Sequence, residues 1–266
     1  MTRTIGLLCC LLLVGCSTPG GNPALQRVDP NSIYARAGVQ FQEAVLFKPI
    51  EPATTDLLFT LAPLIILQVS ETNLPPQVED RLLGFDAIAE RPVVYAWSDS
   101  VQVRGRPHAR LNYVWDHGPA VYAKPKANQR QGVRITLGSK GQPLIWEVLG
   151  DTSGQELIVV SESLEQRAAA EFGAPLPDRR FSVENPTSTA PNTLVMRAID
   201  DGPVVMGQII YLLKGSRDIA TIICRCMPAQ AGHLAGTFNY RLLSHPAANT
   251  AWLVSPLETR LRLPEF

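Results

Sequence analysis

VVYAWSDSVQVRGRPHARLNYVW, residues 93–115, is the stretch on which the fold turns. Val93-Val94-Tyr95-Ala96-Trp97, Val101-Gln102-Val103-Arg104 and Leu111-Asn112-Tyr113-Val114-Trp115 are short β-branched and aromatic runs, with Ser98-Asp99-Ser100 and Gly105-Arg106-Pro107 between them as turn signals. The pattern predicts an antiparallel meander. Residues 133–137 and 144–149 flank Gly138-Ser139-Lys140-Gly141, a second hairpin whose glycines supply the positive φ of a tight turn, and residues 157–160 add a strand.

One helix is well signalled. Ser163-Leu164-Glu165-Gln166 matches a capping box, Leu164, Ala168 and Phe172 recur on one face, Gly173 closes the end, and Pro175 and Pro177 prevent continuation. A weaker helix, interrupted by Gly84, is expected over residues 76–89, and a helical turn at 57–62 feeds a buried strand at 64–69. Residues 204–213, 219–224, 237–243 and 252–254 read as further strands or buried segments. The expected fold is α+β: a mainly antiparallel sheet with a few short helices in a single compact body over residues 31–266. Four prolines between 175 and 192 mark a surface crossing or a lobe boundary.

Composition narrows the function classes. The 266 residues are 45% hydrophobic and 18% charged, which is globular rather than disordered. The 24 basic side chains are balanced by 24 acidic ones, so the electrostatic footprint of a nucleic-acid binder is missing. No apolar run reaches the ~18 residues of a membrane span.

The N-terminus carries the most specific motif. Met1-Thr2-Arg3-Thr4 is followed by ten apolar residues, 5–14, and then Gly15 and Cys16. Ten residues rise only ~15 Å as a helix against a hydrocarbon core of ~30 Å, so this reads as a signal peptide. Leu13-Val14-Gly15-Cys16 resembles the lipobox of bacterial lipoproteins. That resemblance implies cleavage before Cys16, diacylglycerol on its sulfur, acylation of the new amine and attachment through the acyl chains. Residues 1–15 are then the signal peptide and 16–30, rich in proline and glycine, the lipidated cysteine with a flexible tether. Ser17, where related sequences carry an inner-membrane retention signal, implies outer-membrane sorting with the body on the periplasmic side, in a cell with two membranes. The alternative is an uncleaved anchor or plain secretory signal in which Cys9, Cys10 and Cys16 are small apolar residues.

Cys224-Arg225-Cys226 are, after such processing, the remaining thiols. Residues two apart on a strand share a face with Cα atoms near ~6.5–7 Å, at the edge of disulfide reach, so bridging needs a bend. Three readings stay open: buried reduced residues that resist alkylation, a structural disulfide, or a redox or metal pair. His233 and His245 follow at seven and nineteen residues, but without a second Cys pair no metal is assigned. Tyr95, Trp97, Tyr113 and Trp115 alternate along two strands and form either a ledge for sugar or peptidoglycan or part of the core. Asp116-His117, with His108 nearby, reads as a strand end rather than a dyad, because adjacent strand residues face opposite ways. Gly150-Asp151-Thr152-Ser153-Gly154 lacks the order of a nucleophile elbow and reads as a loop. Arg179-Arg180 and Arg260 with Arg262 are read as solvated surface.

Beyond the lipobox, LIWEVLGDTSG at 144–154, the run from Val159 to Glu184 and CRCMPAQ at 224–230 resemble envelope proteins of no known activity, so no catalytic role transfers. The expectation is a lipid-anchored envelope protein without catalytic activity or cofactor, binding cell-wall polymer or another envelope protein. The alternative is an anchored hydrolase or thiol- or metal-dependent enzyme using Cys224, Cys226 and a nearby histidine.

Overall fold

In the computed structural model, which describes residues 29–50, 56–69, 85–86, 91–116, 130–185, 193–226, 230–244 and 256–266, strand predominates. The chain runs α1 (Pro30–Ala37), β1 (Phe41–Pro49), α2 (Leu57–Thr60), β2 (Leu64–Gln68), β3 (Phe85–Asp86), β4 (Arg91–Val103), β5 (Arg106–Asp116) and β6 (Arg130–Leu137). It continues through β7 (Pro143–Leu149), β8 (Glu156–Ser161), α3 (Glu162–Phe172), β9 (Thr193–Ile199), β10 (Gln208–Leu212), β11 (Ile219–Cys224), β12 (Ala231–Ser244) and α4 (Leu257–Arg260). The expected signal peptide, Cys16, residues 16–28 of the expected tether and the strand expected at 252–254 lie outside the described residues.

Residues 93–115 fold as two long strands rather than three short ones. Ser98-Asp99-Ser100 stays in β4 because Asp99 faces Arg110 across the ladder and takes its guanidinium at 2.6 and 2.7 Å. The chain turns only at Arg104 and Gly105, whose φ of 50° and 75° are those of a tight two-residue hairpin. The second expected hairpin is β6–β7.

All strands belong to one sheet in the order β11-β10-β2-β1-β12-β4-β5-β6-β7-β8-β9, with β3 paired only to β4. The expectation of a mainly antiparallel sheet is corrected to a mixed one. β4 to β8 are antiparallel, but β12 runs parallel to both β1 and β4, β10 to β2, and β8 to β9. The cause is long-range: β12 inserts between strands far earlier in the chain, and α3 with the 175–185 crossing links β8 to β9 as a parallel connection must. The strands on either side of that crossing are therefore neighbours in one sheet.

The sheet curls almost into a barrel. Its edges approach where Arg197 of β9 reaches Thr221 of β11 at 3.5 Å, and α1 lies against both edges. Phe47, Tyr113, Trp115, Val133, Ile135, Trp146, Val159, Ile210, Ile222 and Tyr240 fill the interior, joined by Ile33 and Ala37 of α1. Outside, Leu164 and Ala168 of α3 pack with Ile145, Ile158, Val160 and Val195, together with Leu257, Leu261 and Leu263. A second outer cluster covers β1, β2, β10 and β11 through Phe41, Ala44, Ile66, Ile209, Tyr211 and Ile223.

Three local expectations shift. The cap of α3 is Ser161, which accepts from Leu164 N–H at 3.2 Å, while Ser163 donates to Asp201 and Glu165 accepts from the amides of Ser182 and Val183. Val204 and Val205 precede β10 and are exposed rather than paired. Of the helix expected at 76–89, only Phe85 and Asp86 are described, and they form β3.

Candidate functional site

The segment from Leu58 to Pro63 runs out of α2 into β2. The last carbonyls of a helix, and those just past it, have no partner in the helix itself. Here side chains supply them: Tyr113 of β5 donates to Leu58 O at 2.9 Å, Tyr240 of β12 to Pro63 O at 2.8 Å, and the Arg225 guanidinium to Ala62 O. Burial pushes both phenols far above the ordinary tyrosine value, helped at Tyr113 by the Asp56 carboxylate and at Tyr240 by Tyr113. Burial lowers Arg225, against the pull of the two phenols. The phenols therefore act as fixed neutral donors, and a cation is held beside them.

Arg225 stands between the two half-cystines. β11 ends at Cys224 and a turn follows, which brings the Cα atoms of Cys224 and Cys226 to 5.2 Å and joins them as a disulfide. The strand ending is the bend that residues two apart require. Cys224 is buried and Cys226 exposed. The Cys226 N–H donates to Cys224 Sγ at 3.2 Å. Gln208 faces Cys224 across the ladder, is 2% exposed, and has neither carboxamide atom hydrogen-bonded among the described residues.

The structure separates other residues that the sequence had grouped. In the β4–β5 ladder Tyr95 stands opposite Val114, Ala96 opposite Tyr113 and Trp97 opposite Asn112. Opposed residues share a face, so Tyr113 and Trp115 point inward while Tyr95 and Trp97 lie on the outer face, and no four-ring ledge forms. Tyr113 and Trp115 are fully buried in the core. His233 is exposed on β12 with Nδ1 3.8 Å from Glu43, four strands from β11 in the sheet order. His245 and His117 lie outside the described residues. Asp116 is taken by Arg130 at 2.6 and 3.0 Å. His108 is buried, its Nδ1 3.1 Å from Leu137 O and its ring against Phe266, beside a cleft of about 500 Å³ that also touches Leu57 and Pro107.

Two charged clusters were missed. Asp151, in the loop between β7 and β8, takes Arg36 of α1 at 2.8 Å, and Asp218 before β11 accepts from Thr152 N–H and hydroxyl at 2.9 and 2.6 Å. Arg36 is also 3.9 Å from Asp218, so one cation ties three segments together beside the seam. Asp29-Pro30, an N-cap and a proline at the first turn, was the available signal for α1. On the outer face of β6 and β7, Glu147 lies 3.8 Å from Arg134 and accepts from Arg260. The reading of Arg260 as solvated surface is corrected: it is 3% exposed, because the C-terminal segment folds back over the sheet. Arg180 lies over the Tyr34 ring, and Arg262 donates to Ser182 O.

Among the described residues no group of three or more His, Cys, Asp and Glu is placed to hold a metal ion, and no helix is long and apolar enough to cross a membrane. No protein-family model, curated protein or solved structure matches this chain.

Proposed function

We propose that this chain is a lipid-anchored cell-envelope protein whose barrel-shaped body is a non-catalytic binding or structural module. The carrying observation is the order of one cation, ten apolar residues, Gly15, Cys16 and a Pro/Gly-rich tract. Acyl chains at Cys16 supply the adhesion that ten apolar residues cannot, because stable anchoring takes two or more chains. The fold supports the second half of the reading. The body begins with α1, capped by Asp29, so a short stretch separates it from Cys16. Several chemistry-bearing side chains are engaged in holding the fold: Asp116 with Arg130, Asp151 with Arg36, and His108 with a backbone carbonyl. The partner is a cell-wall polymer or another envelope protein, met by a rigid surface at the end of a tether on the periplasmic face of the outer membrane.

The test is metabolic labelling with a fatty acid in a bacterial host. The wild-type chain takes up label and sediments with membranes, whereas Cys16→Ala loses the label and moves to the soluble fraction. An unlabelled wild-type chain, or a Cys16→Ala chain that keeps both properties, overturns the reading.

A further inference from the structure

A disulfide that staples a fold joins distant segments, and its effect grows with the length of loop it closes. The Cys224–Cys226 bridge joins residues two apart at the end of one edge strand, so it ties no two elements together. Its surroundings suit exchange instead. Cys226 is exposed and offers its sulfur to an incoming thiolate, while Cys224 is buried behind it. The sulfur that would leave, Cys224 Sγ, already receives the Cys226 N–H at 3.2 Å, and hydrogen bonding to a thiolate favours it. Gln208 faces that sulfur across the ladder with a buried carboxamide that has no partner among the described residues, and so has donors to give to a new charge.

The approach to the sulfurs is also shaped. At residue 202, where φ is +76°, a Cβ would stand 2.9 Å from Cys224 Sγ and 3.6 Å from Cys226 Sγ, so any other residue there would crowd the sulfurs. The same loop carries Val204 and Val205, 62% and 40% exposed, between Gly202 at the two sulfurs and Gly207 at the Arg225 guanidinium. An apolar lip next to an accessible sulfur suits a protein thiol with apolar flanks better than a small charged thiol.

We propose that Cys224–Cys226 is an exchangeable disulfide that accepts electrons from a protein dithiol docked on Val204 and Val205. A thiolate of the partner attacks Cys226 Sγ. The Cys224–Cys226 bond breaks, its electron pair goes to Cys224 Sγ, and a new sulfur–sulfur bond joins Cys226 to the partner. The partner's second thiol loses its proton and attacks the partner sulfur of that mixed disulfide, expelling Cys226 as a thiolate. Both cysteine thiolates then take up protons. The partner dithiol has lost two electrons and two protons to become a disulfide, and Cys224 and Cys226 have gained them. This site goes beyond the anchoring role and does not depend on lipid at Cys16.

The experiment uses the full chain purified in detergent at neutral pH, with two synthetic Cys-X-X-Cys peptides, one flanked by leucine and one by glutamate. After acid quench and alkylation, mass spectrometry reads each cysteine separately. Cys224 and Cys226 become reduced in step with peptide oxidation, the near-ultraviolet circular dichroism stays unchanged, and the leucine peptide reacts about tenfold faster. Offered a one-cysteine leucine peptide activated as its mixed disulfide with thionitrobenzoate, a Cys224→Ser variant takes the peptide onto Cys226 and releases thionitrobenzoate, whereas Cys226→Ser takes up little on Cys224. Val204→Glu with Val205→Glu slows the leucine peptide but not dithiothreitol. A bridge that resists both peptides and dithiothreitol until the chain unfolds overturns the proposal, as does equal trapping on either cysteine. Equal rates for the two peptides, or slowing of dithiothreitol by the valine changes, overturns the docking surface.

Discussion

Arg260, the last residue of α4, donates to the Glu147 carboxylate of β7 across 113 positions of sequence, and each side chain is 2% exposed. A charge withdrawn this far from water is tolerated only with its partner, so the pair clamps the C-terminal segment onto the sheet. Arg260→Met is expected to cost about 3–5 kcal/mol of stability in urea unfolding, because Glu147 is left with Arg134 alone at 3.8 Å. Arg106→Ala serves as the control. Its partner Glu265 is 62% exposed and Arg106 itself 67%, so its loss costs at most about 1 kcal/mol. Equal costs for the two variants would contradict the clamp.

Gly132 of β6 has its Cα against the neighbouring strand, where a Cβ would meet Tyr113 O and stand 2.9 Å from Val114 Cγ2. Backbone cannot move aside as a flexible side chain can. Gly132→Ala is expected to destabilise by about 1–3 kcal/mol through overpacking, despite removing a glycine from a strand. Thermal unfolding decides the matter, and a raised midpoint would show that β5 and β6 separate readily.

The start of α3 distinguishes two serines. Ser161 accepts from the Leu164 amide, while the Ser163 hydroxyl donates to Asp201 outside the helix. Ser161→Ala should therefore lose a cap worth about 1 kcal/mol. Hydrogen exchange at the Leu164 amide reads this directly: it quickens in Ser161→Ala, and an unchanged rate would place the cap elsewhere.

Tyr113 and Tyr240 hold their protons far above the ordinary value of 10.0 while folded, because burial disfavours the phenolate. Above pH 10 the native state then binds more protons than the unfolded chain, so stability falls as pH rises. Below the unfolded value the contribution is fully present. In an alkaline titration followed by phenolate absorbance, Tyr240→Phe should remove one tyrosine from the late step that coincides with unfolding. Loss from the early, folded-state step would mean that the Tyr240 phenol is open to solvent.

Much of the strand content was legible because it rests on local patterns. Alternating apolar residues at 133–137 and 144–149 around a glycine-rich turn produced β6–β7, and the apolar run at 219–224 produced β11. Ser98-Asp99-Ser100 misled for a definable reason: polar residues resemble a turn until Arg110 is placed opposite Asp99. The candidate site was half legible. Cys224-Arg225-Cys226 stood out as a triplet, but nothing local tells a reader that Gln208, Gly202, Tyr113 and Tyr240 surround it.

By itself the sequence determined the abundance of strands, the helix ending before Gly173 and the cysteine triplet, since each depends on residues within a few positions of one another. Only the tertiary structure decided the mixed order of the sheet, the parting of Tyr95 and Trp97 from Tyr113 and Trp115, and the burial of Arg260 on Glu147. Strand pairing and ion pairing act between groups brought together in space across any length of chain, so a local pattern carries no record of which partner each group will meet.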